Sequence, residues 1–211
     1  AANLVFAGRD GVNLNGTENS YVLYNDLNAG RDGIHGNNLL NTTIIGNDVT
    51  GSGRDGVNLI DSDTAYVANN DASNVGRNGF RNSNTKNAVY SGNTSSFNSR
   101  GFNIVNGSDN VTLVNNIMEG NDIGARVNNS SNVKFENNTF TNNAIGARIL
   151  NTDGTTFTGD IFNGNVLGIE LNNSSNSVLK NVNINTAAGG TGIWIRNGSA
   201  NTLGEGLKLN G

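Results

Sequence analysis

The chain has no cysteine, no proline, one histidine and one tryptophan, and only 14% of its 211 residues are charged. Without cysteine there are no disulfides, no thiol chemistry and no cysteine-based zinc cluster, although this leaves the compartment open. No apolar run approaches the roughly 18 residues that a membrane span needs, so membrane insertion is not expected. No secretory signal opens the sequence. The formal net charge of −4 argues against nucleic acid as a partner, because phosphate binding needs a clustered basic excess. A phosphate loop and a nucleophile elbow are also missing.

What the chain does have is 45 Asn and 29 Gly, far above ordinary usage. The glycines keep a period. Gly11, Gly33, Gly56, Gly79, Gly101, Gly124, Gly146, Gly168 and Gly192 are separated by 22, 23, 23, 22, 23, 22, 22 and 24 residues. A self-similar period of this length marks a repeat architecture. After each glycine comes an apolar–x–apolar triplet such as Val57/Leu59, Phe102/Ile104 or Ile169/Leu171, the pattern of a short strand with one buried face. A second apolar position recurs at Val22, Ile44, Val67, Tyr90, Leu113, Phe135, Phe157 and Leu179. A third recurs at Leu27, Val49, Ala72, Met118, Phe140, Phe162 and Ile184. Between these two lies Asn25, Asn47, Asn70, Asn93, Asn116, Asn138 and finally Asp160. Asn at this density is a poor helix former, but it tolerates the left-handed turn conformation and can hydrogen-bond its own kind in the next coil.

The expected fold is all-β: a right-handed parallel β-helix, or solenoid, of about nine coils of ~22 residues, forming a single unit over 1–211. Stacking at about 4.8 Å turns every repeated position into a ladder along the axis. The chain starts just before its first register glycine and stops inside a coil. It is therefore expected to be a module or fragment of a longer protein, or to have its open ends covered by another chain stacking on them.

Runs such as Asn132-Val133-Lys134-Phe135-Glu136-Asn137-Asn138-Thr139-Phe140, followed by Asn143-Ala144-Ile145-Gly146-Ala147-Arg148-Ile149, resemble the parallel β-helix repeat family of pectate lyase-like proteins. The Asn-rich coils with Gly-Arg-Asp-Gly look most like the catalytic module of secreted mannuronan C-5-epimerases. The resemblance implies an extracellular or cell-surface location and contact with polysaccharide across the outer face of one sheet. The epimerases' Tyr-Gly-Phe-Asp-Pro-His motif is absent. Asn151-Thr152-Asp153-Gly154 resembles the first motif of polygalacturonases, but the other motifs of that family do not accompany it, so the paired carboxylates for hydrolysis are not assembled.

Three sets of residues are candidates for chemistry. Arg9, Arg31, Arg54 and Arg77 occupy one repeated position and Asp10, Asp32 and Asp55 the next, so the two ladders can either neutralise one another or grip an anionic polymer. Asp26, Asp48 and Asp71 follow ladder asparagines on successive coils. They could bind Ca²⁺, a hard cation that takes oxygen ligands, or serve as turn residues; no other cofactor is expected. The third set is the outward residue of the first strand: Asn13, His35, Asn58, Arg81, Asn103, Arg126, Arg148, Glu170 and Trp194. Here His35, Arg81, Arg126, Arg148 and Trp194 are candidates for substrate binding. Arg126, Arg148 and Glu170 are candidates for catalysis, as a base with positive groups that stabilise an enolate-like intermediate. Two functional classes follow. One is a structural or adhesive surface module that contacts polysaccharide. The other is a carbohydrate-active enzyme, epimerase-like or lyase-like, acting on an acidic polysaccharide.

Overall fold

The computed structural model describes residues 3–197 and 200–210, and the chain winds through three faces of parallel strands. Face one starts with Val12–Asn15 and Ile34–Asn37 and continues through Asp55–Ile60, Asn78–Ser83, Arg100–Val105, Ile123–Asn128 and Ile145–Leu150. Face two runs from Tyr21–Leu23 to Thr202–Leu203 in a nine-stranded sheet whose order follows the coils. Face three holds Leu4–Ala7 and Asp26–Ala29 at one end and Thr94–Ser96, Ile117–Glu119 and Thr139–Thr141 further along. The long strands Ile161–Asn172 and Asn183–Arg196 run round the corner from face three onto face one. Among the described residues no helix is long and apolar enough to cross a membrane.

The inward ladders fill the interior as the period predicts. Ile44, Val67, Tyr90, Leu113, Phe135, Phe157 and Leu179 are fully buried from face two, as are Met118, Phe140 and Phe162 from face three. Parallel pairing puts like on like, so rings stack at the coil rise. Phe135 and Phe157 lie 4.6 Å apart at 7°, and Phe140 and Phe162 lie 4.3 Å apart at 2°. The one buried phenol, Tyr90, donates to Asn82 Oδ1 at 2.9 Å, which removes the cost of an unpaired hydroxyl.

The register glycines are required by closeness of approach. A Cβ on Gly101 would lie 2.4 Å from the Gly124 carbonyl oxygen, and one on Gly146 would lie 2.6 Å from that of Gly168. Here face three bends into face one, and stacked backbones leave no space for a side chain.

The asparagines divide into two jobs, which corrects the expectation that one ladder would both turn the corner and bond along the axis. Asn47 donates its backbone N–H and its Nδ2 to Asn70 Oδ1, both at 2.9 Å, and the same double donation repeats from Asn25 to Asn138. None of these ladder residues is left-handed. The positive φ falls on the residue just before, at Tyr24, Gly46, Asn69, Gly92, Asn115, Asn137 and Gly159. The side chain that reaches along the axis needs an ordinary backbone, and the corner itself is turned by its neighbour. Three further corners are built the same way, for example at Asn38, Asn41 and Asn74. Of the 23 non-glycine residues with positive φ among those described, 19 are Asn, so the corners account for 19 of the 45 asparagines. A second buried ladder, Asn98–Asn121–Asn143–Asn165, links the coils where face three meets face one.

Candidate functional site

The outer side of face one brings the third candidate set into one column. Asn13 pairs with His35, and the register continues through Asn58, Arg81, Asn103, Arg126, Arg148, Glu170 and Trp194 without a slip in the column. Strand periodicity places these residues: each stands between two inward-facing positions, apolar in most coils but Gly36 beside His35 and Asn82 beside Arg81, and so points away from the core. His35 and Glu170 are six coils apart, about 29 Å at the coil rise, so the column is two separate clusters.

The first cluster is a charge network. Arg31 donates from Nε and Nη2 to the two oxygens of Asp10, each at 2.6 Å, and Arg54 does the same to Asp32 at 2.8 and 2.5 Å. Each arginine thus reaches back one coil with a bidentate grip, and the two ladders neutralise one another. Burial raises the Asp10 carboxyl, but the hydrogen bond and charge of Arg31 outweigh it and hold the group below the usual carboxylate range. For Arg54 burial acts downward, and Asp32 more than restores it. Arg77 breaks the pattern. It is exposed, and the next carboxyl, Asp55, instead accepts Asn78 Nδ2 at 2.6 Å and is raised by burial.

His35 is part of this network. Its Nδ1 lies 3.1 Å from Asp32 Oδ2, and Asn58 Nδ2 donates to the same oxygen at 3.0 Å. A fully buried carboxylate beside Nδ1 favours a proton on that nitrogen, and it is Nε2 that is left without a partner in this network. Arg81 reaches back over Asn58, donating to its Oδ1 at 2.9 Å, which sets a guanidinium one coil from the imidazole.

The second cluster centres on Glu170, which has no exposed surface although it stands on the outer face. Arg148 Nε donates to its Oε2 at 2.6 Å and Arg196 Nε to its Oε1 at 3.0 Å, with Arg196 Nη2 on the same oxygen. Burial raises this carboxyl, and the hydrogen bonds from Arg196 and Arg148 overcome it, leaving it low. Both oxygens are engaged, so Glu170 orients arginines and is badly placed to take a proton. Arg196 also lies over the Trp194 ring, 4.5 Å from its centroid. Arg196 was not among the expected site residues; its signal was the period of 2, two places after Trp194. Arg126 donates to Asn103 Oδ1 at 3.2 Å, and burial, then Arg100 and Arg148, draws its pKa down.

Beside Trp194 the pairing slips. Asn165 is opposite Thr186, but Leu167 is opposite Thr191, so extra residues bulge outward. The bulge, with Val166 and Trp194, lines an apolar cleft of about 360 Å³.

Asp26, Asp48 and Asp71 are in register on face three. Asp48 accepts the backbone N–H and the hydroxyl of Thr50, and Asp71 accepts the N–H of Ser73. Two of the three carboxylates thus cap their own turns. Asp153, in the polygalacturonase-like segment, accepts Asn176 Nδ2 at an exposed corner. Among the described residues no group of three or more His, Cys, Asp or Glu is placed to hold a metal ion.

Two family models match. The model described as "Right handed beta helix region" covers residues 2–125, and the one described as "Periplasmic copper-binding protein (NosD)" covers 75–206. No curated protein matches in sequence. Among solved structures, the Azotobacter vinelandii mannuronan C-5 epimerase AlgE4 A-module is similar over 87% of this chain and 57% of its own, at 19% identity and TM-score 0.76. The periplasmic alginate epimerase AlgG is similar over 87% and 50%, at 13% identity and TM-score 0.71. The catalytic unit of a GH87 α-1,3-glucanase from Streptomyces thermodiastaticus is similar over 94% and 46%, at 18% identity and TM-score 0.78. The chain spans about half the length of these structures, and at such identities the likeness is one of fold. On the two model matches, the chain belongs to the right-handed β-helix proteins and to the NosD family.

Proposed function

We propose that the chain is a polysaccharide-contacting β-helix module, structural or adhesive in role, working at the cell surface or in the periplasm with face one as its contact surface. The observation that carries this is the second cluster: Arg148 and Arg196 clasped on one carboxylate, with Arg126 on the coil next to Arg148 and a half-exposed Trp194 beside them, on a chain of net charge −4. Locally concentrated guanidinium donors and an exposed indole suit hydroxyl- and carboxylate-bearing sugar rings. The similar solved structures include epimerases of mannuronan and alginate and an α-1,3-glucanase, which supports the same class of ligand.

A binding role is favoured over catalysis at this cluster because Glu170 is held low and paired on both oxygens. One observation favours a second, enzymatic reading. His35, oriented by Asp32, stands two coils from Arg81, whose guanidinium reaches back to Asn58 between them, so an imidazole and a positive group share one stretch of the face, as proton abstraction beside a carboxylate requires.

Both readings are tested by incubating the protein with alginate, pectate and a neutral glucan. Retardation in glycan-containing native gels measures binding, and ultraviolet absorbance and proton NMR detect unsaturated or epimerised product. The binding reading expects retardation without product, weakened about tenfold by Arg148→Ala (~1.4 kcal/mol). Product that is lost in His35→Ala establishes the enzymatic reading instead. No retardation by any glycan overturns the proposal.

A further inference from the structure

The NosD description names copper, and the donors of this chain do not fit that metal. Cu(I) selects thiolate and thioether sulfur, and Cu(II) selects imidazole nitrogen in a tetragonal set. The chain has no Cys, one Met and one His. Met118 has no exposed surface; it is stacked in the core between Ser95 and Phe140, so its sulfur cannot meet a second ligand from the surface. His35 has spent Nδ1 on Asp32 and offers a single nitrogen. The carboxylates that could complete a set around it are taken. Asp32 is held by Arg54 and Asn58, and Asp10 by Arg31, so a cation would have to expel guanidinium groups and then sit among them.

We propose that residues 1–211 hold no copper on their own side chains, and that what they share with the copper-binding family is the coil architecture. On this reading the coils of this chain serve as a scaffold.

The test loads the folded protein with Cu(II), or with Cu(I) under ascorbate, and desalts it against a chelator of micromolar affinity. Retained copper and the electron paramagnetic resonance spectrum are then measured, with circular dichroism to confirm the fold. A substitution on the neighbouring coil supplies the reference signal. Asn13 is opposite His35 in register, so Asn13→His sets two imidazoles about 5 Å apart. The expected result is a nitrogen-ligated Cu(II) spectrum for N13H, with substoichiometric copper and no such spectrum for the wild type or His35→Ala. One copper retained per wild-type chain and lost in His35→Ala or Met118→Leu would overturn the proposal.

Discussion

Asn138 gives both its backbone N–H, at 2.7 Å, and its Nδ2, at 2.9 Å, to a single oxygen of Asp160. The rest of that ladder joins amide to amide; here it ends on a carboxyl, and the next coil offers Val182 in the same place. A carboxylate accepts without needing a further partner for a donor, which suits the last rung. The cost is burial. Burial pushes the Asp160 carboxyl up to about 7, against the hydrogen bonds from Asn138 and Thr158 that pull it down.

That shift has a sign. A carboxyl raised above its unfolded value of 3.8 stabilises the fold at low pH, and the contribution is lost as pH rises from about 4 through 7. Unfolding free energy measured in urea is expected to fall between pH 5 and pH 8, and Asp160→Asn to flatten that fall. Asp55, also raised by burial, acts with the same sign, so Asp55→Asn removes a share of any slope left. A slope untouched by both substitutions would refute the assignment.

Phe157→Ala should cost about 3–5 kcal/mol, since it opens a cavity and breaks the stack on Phe135 and the edge contact with Phe162. Chemical denaturation reads this directly. A loss below ~1 kcal/mol would mean that face two does not point this ring inward.

Gly124→Ala would bring a Cβ within 2.5 Å of the Gly146 carbonyl and 2.9 Å of the Phe140 ring. Backbone cannot yield as a flexible side chain does, so the expected loss is about 1–3 kcal/mol. Gly8→Ala is the control: a Cβ there meets nothing within 4 Å, and stability should stay within about 0.5 kcal/mol.

Glu170→Gln removes the one negative charge among Arg126, Arg148 and Arg196. If the cluster binds an acidic glycan, the variant should bind more tightly than wild type, with a steeper loss of affinity as salt increases. If Glu170 is instead a catalytic base, turnover falls while binding is retained. Comparing retardation at two salt concentrations with product formation separates the two.

Much of this was legible in the sequence because parallel stacking writes structure as period. One glycine per coil gave the register, and from it the inward ladders of Phe135 and Phe157 and the outward column from Asn13 to Trp194 followed by counting. Other features left weaker traces. The second asparagine ladder begins only at Asn98, because Ser52 and Val75 stand at the equivalent places in earlier coils. The left-handed corners are hidden by Tyr24, Thr64 and Phe97, residues that rarely adopt that conformation. The pairing of Glu170 with Arg196 spans 26 residues, more than one period, so counting from coil to coil did not reach it.

The corners also say how such a chain can grow or shrink. Each coil carries its left-handed residues at fixed places, and neighbouring coils meet through identical ladders, as Asn121 meets Asn143 across 22 residues. Removing a whole coil returns its corners, rungs and core residues to like partners; the spacings of 22 to 24 residues show that an extra residue is absorbed between strands, whereas one lost within a strand would set that strand one place out of step. A coil is therefore a unit of inheritance. Gene duplication can lengthen the rod in whole turns while the outward residues drift, so a binding face can be rewritten without disturbing the stack beneath it.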